Sequence, residues 1–315
     1  MVRDGFDAEA PMSVPLRHVV HQGPVLAAIG RAGLSALRQR LPIGRAPAAV
    51  VPGPTLTATL PPRDPALVRD YIRWTGGDPA AYKGRLPPHL FPQWGFPLQG
   101  RTLAGIPYPL TRVLNGGCKL TIHADLPADR PLDLEARLES IDDDGRRAVL
   151  RQRLVTRIDG VDRLTAEFFA IVPLGGGDKG AKGAKRKAKK PATLVPRIAR
   201  EIGWWRLDDQ AGLTFACLTG DFNPVHWVPA YARAAGFRHT ILHGFATLAR
   251  TLESMNRVLW AGDTRRVGSI DVRFTKPLVL PARVGCYVHG DEVFVGDAPG
   301  APAYLAGRFT AKEDA

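Results

Sequence analysis

Cysteine is scarce in this chain: Cys118, Cys217 and Cys286 are odd in number and far apart among 315 residues. That argues against a disulfide framework and for a reducing compartment, here the cytoplasm. Long apolar runs are also missing. The first greasy stretch, Val25 to Ile29, is broken by Arg31 and preceded by Asp4, Asp7 and Glu9, which fits neither a secretory leader nor a membrane span. No GxGxxG leads from a strand into a helix at Gly175 to Gly177, and no Gly-Lys-Ser/Thr run makes a phosphate loop. A GxSxG serine elbow is absent, which disfavours a serine thioesterase. His239 and His243 have a spacing that zinc accepts on a helix, but Thr240 replaces the metalloprotease glutamate and no third ligand is evident, so no metal is expected.

What is present in excess is positive charge, a net +13. Its location decides its meaning. Residues 175–191 read GGGDKGAKGAKRKAKKP, and this stretch alone carries nearly half the surplus. A Gly/Ala/Lys run without aromatics neither packs nor stacks, so it reads as a solvated tether rather than a nucleic-acid-binding arm. The rest is spread along the chain, which suits a ligand with several phosphates. The tether divides the sequence into an N-terminal extension (1–50), a first folded part (51–174), the linker (175–191) and a second folded part (192–315). Within the extension, Leu26, Ile29, Leu34, Leu37 and Leu41 against Arg31, Arg38 and Arg40 predict an amphipathic helix over Val25 to Leu41.

The two folded parts follow one plan. In the second, a helix begins after Asp208 and Asp209 and breaks at Gly220 and Pro224. A longer helix opens near Gly244, with Phe245, Leu248, Leu252, Met255 and Leu259 on one face. Alternation at Ile270, Val272 and Phe274 then predicts a strand, followed by strands around Val284 to Val288 and Tyr304 to Phe309. The first part repeats this order, with strands around Cys118 to Ala124, Leu132 to Leu138, Val149 to Val155 and Leu164 to Ile171. Asp144-Gly145 and Asp159-Gly160 mark the hairpin turns between them. Even the local run Trp74 to Pro79 echoes Leu218 to Pro224. The expectation is an α+β protein in which antiparallel strands wrap one central helix, twice.

The chemistry concentrates in Leu218 to His226, LTGDFNPVH. Pro224 stops the preceding helix and holds Asn223 extended, so Asp221 and His226 project from a turn. A carboxylate and an imidazole across a sharp bend can converge on one water molecule. Burial beside an apolar helix would raise the Asp221 pKa toward a range useful for proton transfer. His226 can donate to or accept from that water at neutral pH, and Asn223 can orient either partner.

This segment resembles the signature of the MaoC-like (R)-specific enoyl-CoA hydratase family, or hydratase 2, through Gly220, Asp221, Asn223, Pro224 and His226. Ile241 to Phe245 and Gly268 to Pro277 are similar to two further family segments, so the likeness covers roughly residues 200 to 311, with a degenerate echo in 55 to 174. The resemblance implies a double hot dog fold, two antiparallel sheets each wrapped on a central helix. It implies reversible syn hydration of trans-2-enoyl-CoA to (R)-3-hydroxyacyl-CoA without a cofactor. Asp221 and His226 would hold the water, with Asn223 as their neighbour, and the Gly244 N–H would receive the thioester oxygen as charge develops on it.

The first part departs from the pattern, with Asp78 after two glycines and Ala81-Tyr82 where the histidine is expected. It is therefore expected to be silent. Its segment LPPHLFPQWGFPLQG suggests an altered helix and an acyl-chain pocket that includes Trp94 or Phe96. Other readings are a 3-hydroxyacyl carrier protein dehydratase or a non-catalytic acyl-CoA-binding subunit. The implied partner is an acyl-CoA or acyl carrier protein thioester, with a homodimer as an option and no nucleic acid or membrane span.

Overall fold

The computed structural model describes residues 13–23, 49–109, 113–174 and 191–313. The helix expected over Val25 to Leu41 and nearly all of the Lys-rich tether lie outside the described residues.

Alternating burial builds the strands. In β3 (Leu132–Asp143), Leu132, Leu134, Ala136 and Leu138 face inward while their neighbours do not. β3 folds back on β4 (Arg147–Ile158) and β4 on β5 (Val161–Pro173). At the turn residues Gly145, Asp159 and Gly160, φ values of 74°, 53° and 75° supply the left-handed backbone that tight hairpins need. The second part forms the corresponding strands β7 (Val267–Phe274), β8 (Ala282–His289), β9 (Glu292–Gly296) and β10 (Ala303–Ala311). β1 (Leu56–Leu60), β2 (Leu114–Ile122) and β6 (Arg200–Leu207) complete the set.

The strand order is β1-β3-β4-β5-β2-β7-β10-β9-β8-β6, which reads the same outward from its centre in both directions. At that centre β2 pairs antiparallel with β7, from Gly117 opposite Arg273 to Thr121 opposite Ser269. The two sheets anticipated from the repeat thus run on into one ten-stranded sheet, joined edge to edge. This pairing removes two free strand edges.

Each half wraps one long helix. The helices are α1 (Pro65–Thr75), α2 (Pro79–Tyr82), α3 (Phe91–Thr102), α4 (Ala211–Thr219), α5 (Pro229–Ala234) and α6 (Gly244–Leu259). The inward stripe of α6 is the expected one, with Phe245, Leu248, Leu252 and Met255 buried. Its counterpart α3 is shorter and carries Pro97 inside it. Trp94 is fully enclosed and donates from Nε1 to Thr156 Oγ1 at 3.1 Å, so it belongs to the helix–sheet core. Phe96 is only partly buried and packs 5.5 Å from Phe245 near the start of α6. One apolar core runs through both halves.

A short turn over Leu16–Gln22 lies on α4, where Gln22 Nε2 donates to the Cys217 carbonyl at 3.1 Å and buried His18 meets Asp70 at 2.7 Å. Among the described residues no helix is long and apolar enough to cross a membrane. Cys118, Cys217 and Cys286 are all buried and free.

Candidate active site

α4 ends at Gly220, whose left-handed backbone (φ 84°) turns the chain sharply. Asp221 follows immediately. Its Oδ1 accepts from the Asn223 N–H at 3.4 Å, and the Asn223 side chain in turn accepts from the Val225 N–H at 3.3 Å, starting a tight turn over Pro224–His226. Asn223 therefore meets Asp221 through its backbone; its side chain caps the turn rather than orienting the dyad directly.

His226 is held from two sides. Its Nδ1 lies 2.8 Å from the Ile241 carbonyl, a group that only accepts, so Nδ1 carries the proton and Nε2 keeps a lone pair. Its backbone carbonyl presses against α4 at Gly212, where a Cβ would come within 1.9 Å of that oxygen. Only glycine fits there.

His243, set aside in the sequence as half of a zinc-like pair with His239, proves to be the third member of the group. It precedes α6 and is 1% exposed, and its ring stacks on His226 at 3.6 Å between centroids. Nε2 of His243 donates to the Asp221 carbonyl at 2.9 Å, while the Asp221 carboxylate is 3.9 Å away. His239 sits apart, bonded to Thr240. The sequence signal was position, a histidine directly before a helix start.

Asp221, His226 and His243 bring ligand atoms within 4.8 Å of one another. A water needs about 2.8 Å to each partner, so ligand atoms within 4.8 Å of one another are close enough to share one bridging molecule. For a metal, two of the four ring nitrogens are already committed to backbone carbonyls, His226 Nδ1 to Ile241 and His243 Nε2 to Asp221.

The electrostatics follow from burial. Desolvation raises the Asp221 carboxyl above its usual 3.8, partly offset by His226. The same cause lowers His226 below 6.5, against the pull of Asp221. His243 goes well below its ordinary value through desolvation and the neighbouring His226. Yet the site is not sealed: about 24% of the Asp221 side chain is exposed, and Asn223, His226 and Gly244 are partly exposed. From Ile241 to Ala249, Gly244 is the one residue that is not buried. It opens α6, where the first N–H groups have no partner within the helix. Phe274 packs so closely that a Cβ on Gly244 would lie 2.6 Å from its ring.

Arg273 and Lys276, two of the positive side chains in the second half, are engaged locally. Arg273 bonds Asp271 at 2.6 Å and covers the Phe169 ring, and Lys276 lies over Tyr304.

A repeated helix-in-sheet unit with this turn has counterparts. The crystal structure of HtdX from Mycobacterium tuberculosis aligns with a TM-score of 0.66 at 19% identity, covering 82% of this chain and 100% of that one. That likeness fixes the fold as a double hot dog, and residues 179–296 match the MaoC like domain. The second half of the chain is therefore similar to the MaoC-like hydratases.

Two curated relatives are similar over a little more than half of this chain. One is "Enoyl-CoA hydratase 2, peroxisomal" of Arabidopsis thaliana, 27% identical over 184 residues, covering 56% of this chain and 59% of the relative. The other is "3-hydroxyacyl-thioester dehydratase Y" of Mycobacterium tuberculosis, 32% identical over 180 residues, covering 53% and 58%. In both cases the match takes in less than two thirds of the relative's own length.

Proposed function

We propose that this chain is a hydro-lyase that interconverts trans-2-enoyl-CoA and (R)-3-hydroxyacyl-CoA by syn addition and removal of water. The observation that carries this reading is a carboxylate and an imidazole, Asp221 and His226, with ligand atoms within 4.8 Å of one another, beside a partly exposed helix start at Gly244.

In the hydration direction the water donates one hydrogen to Asp221 and the other to His226 Nε2. Its oxygen then faces C3 of the enoyl thioester. As the C3–O bond forms, electrons move through the double bond to the thioester oxygen, and the Gly244 N–H at the positive end of α6 receives the growing charge. The proton lost by water rests on the dyad and returns to C2 on the same face, so one OH and one H are added. Asp221, raised by burial, and His226, lowered by burial, are drawn toward each other in proton affinity, which eases that relay.

The same steps run backward are a dehydration. A relative named for each direction supports one reversible site; carrier protein thioesters remain the alternative substrate to CoA thioesters. Three buried thiols suit a reducing compartment such as the cytoplasm. The test is to supply crotonyl-CoA and longer trans-2-enoyl-CoAs, follow loss of the conjugated thioester absorbance and determine the configuration of the product. (R)-3-hydroxyacyl-CoA is expected. An (S) product, or no turnover with any enoyl thioester, overturns the reading.

A further inference from the structure

The first half contains a buried polar cluster that the chemistry above does not use. Glu253, on α6 of the second half, is 3% exposed. Its Oε1 accepts from Tyr82 Oη at 2.6 Å and faces His89 Nε2 at 3.2 Å, and its Oε2 accepts from Asn256 Nδ2 at 3.2 Å. Behind them Tyr71 Oη donates to the His89 carbonyl at 2.8 Å. A buried carboxylate is tolerated only when donors surround it in this way. Burial and the Glu253 charge hold Tyr71 and Tyr82 well above the usual phenol range, so both remain donors.

The two halves can be set in register on the left-handed glycines that end α1 and α4, Gly76 (φ 88°) and Gly220 (φ 84°). Counting from each glycine, Tyr71 stands where Phe215 does, Gly77 where Asp221 does and Tyr82 where His226 does. Counting from Phe91 and Phe245 at the starts of α3 and α6, His89 stands where His243 does and Leu90 where Gly244 does. The contacts agree: the His89 ring lies 5.5 Å from Tyr71, as His243 lies 4.8 Å from Phe215. Asp78, the acid that the sequence offers, falls out of register; it is exposed and caps α2 by accepting from the Ala80 N–H at 2.9 Å.

A Cβ built on Gly77 would lie 2.4 Å from the Glu253 carboxylate carbon and within 2.6 Å of both its oxygens. The side chain that Gly77 lacks is thus replaced in space by a carboxylate arriving from the other half. We propose that the counterpart of the active site in the first half survives as a closed internal lock, with Glu253 supplying from the second half the carboxylate that Gly77 cannot. Tyr82, His89 and Asn256 hold that carboxylate, Leu90 fills the helix start, and the contact fastens α6 to the first half. Glu253 lies on the same helix that opens at Gly244. The registration takes the Asp221 site as its template, but the test reads folding rather than turnover, so the lock and the hydro-lyase reading fail separately.

The test is a carboxylate swap in the full chain, read by thermal melting. Glu253→Ala leaves three buried donors without their acceptor and is expected to melt roughly 5 to 10 °C below wild type. Gly77→Asp alone forces two carboxylates into one space and also melts lower. Combined, Gly77→Asp and Glu253→Ala return the carboxylate to the chain position of Asp221, and the double variant is expected to recover at least half of the Glu253→Ala loss. Glu253→Ser provides a second background in which the same recovery is expected. Losses that simply add in the double variant, or a Glu253→Ala protein that melts with wild type, overturn the lock.

Discussion

The two halves share one backbone plan and differ in what three positions around a buried histidine present to solvent. In the second half Asp221, His226 and Gly244 are partly exposed around a buried His243. In the first half Tyr82, His89 and Leu90 are buried, and Gly77 contributes no side chain. The fold therefore supplies a helix start and a sharp turn twice, and side chains alone decide whether that geometry is open to a substrate or becomes core. An open carboxylate costs stability and offers chemistry, whereas a closed one must be fully bonded.

Five substitutions and a pH series probe that contrast, set out from the largest effect on the site to the smallest. Gly212→Ala places a Cβ 1.9 Å from the His226 carbonyl and so shifts the imidazole. A displacement of about 1 Å costs roughly 10²-fold, so kcat/KM should fall by about that factor in steady-state kinetics. The effect should fall on kcat more than on KM.

Phe96→Ala removes a partly buried ring beside Phe245 and is expected to shift the ratio of kcat/KM for long against short enoyl chains by about tenfold. Trp94→Ala should instead lower stability by about 3 to 5 kcal/mol in denaturant unfolding, because Trp94 is core. A chain-length profile unchanged by Phe96→Ala would remove this residue from the acyl pocket.

pH separates the groups by sign. His226 and His243 are lowered, so the stability they contribute is present above 6.5 and is lost as pH falls through their shifted values. Asp221 is raised, so its contribution is present below 3.8 and lost as pH rises through its shifted value. The melting temperature should therefore drop as pH is lowered from 6.5. At pH 7 Asp221→Asn should melt about a degree or two above wild type, a small gain because the side chain is partly exposed.

The smallest effect is expected from Asp78→Ala in the first half. It removes a helix cap and should cost about 0.5 to 1 kcal/mol in unfolding with no change in turnover.

Much of this was legible in the letters, for physical reasons. α6 announced itself by a clean apolar stripe, and β3, β4 and β5 by alternation punctuated with Asp-Gly turns. The segment from Leu218 to His226 gave the turn that brings Asp221 and His226 together. β1 and β9 are only five residues each, and β6 is interrupted by Gly203, so periodicity had little to act on. The join of β2 to β7 leaves no local mark, since edge pairing depends on where two distant strands end up. Glu253 was missed because a helical glutamate ordinarily reads as solvated. Its place directly after Leu252, on a helix whose central turns are buried, was the available hint. His243 was misjudged because sequence spacing paired it with His239, whereas folding paired it with His226.

The most direct measurement follows hydration of crotonyl-CoA by wild type, Asp221→Asn and His226→Ala under identical conditions, with melting curves to show that all three fold. Wild type should consume the conjugated thioester, and each variant should lose roughly 10²- to 10⁴-fold in kcat/KM. Variants that are folded and turn over within a few-fold of an active wild type would contradict the assignment of catalysis to this pair.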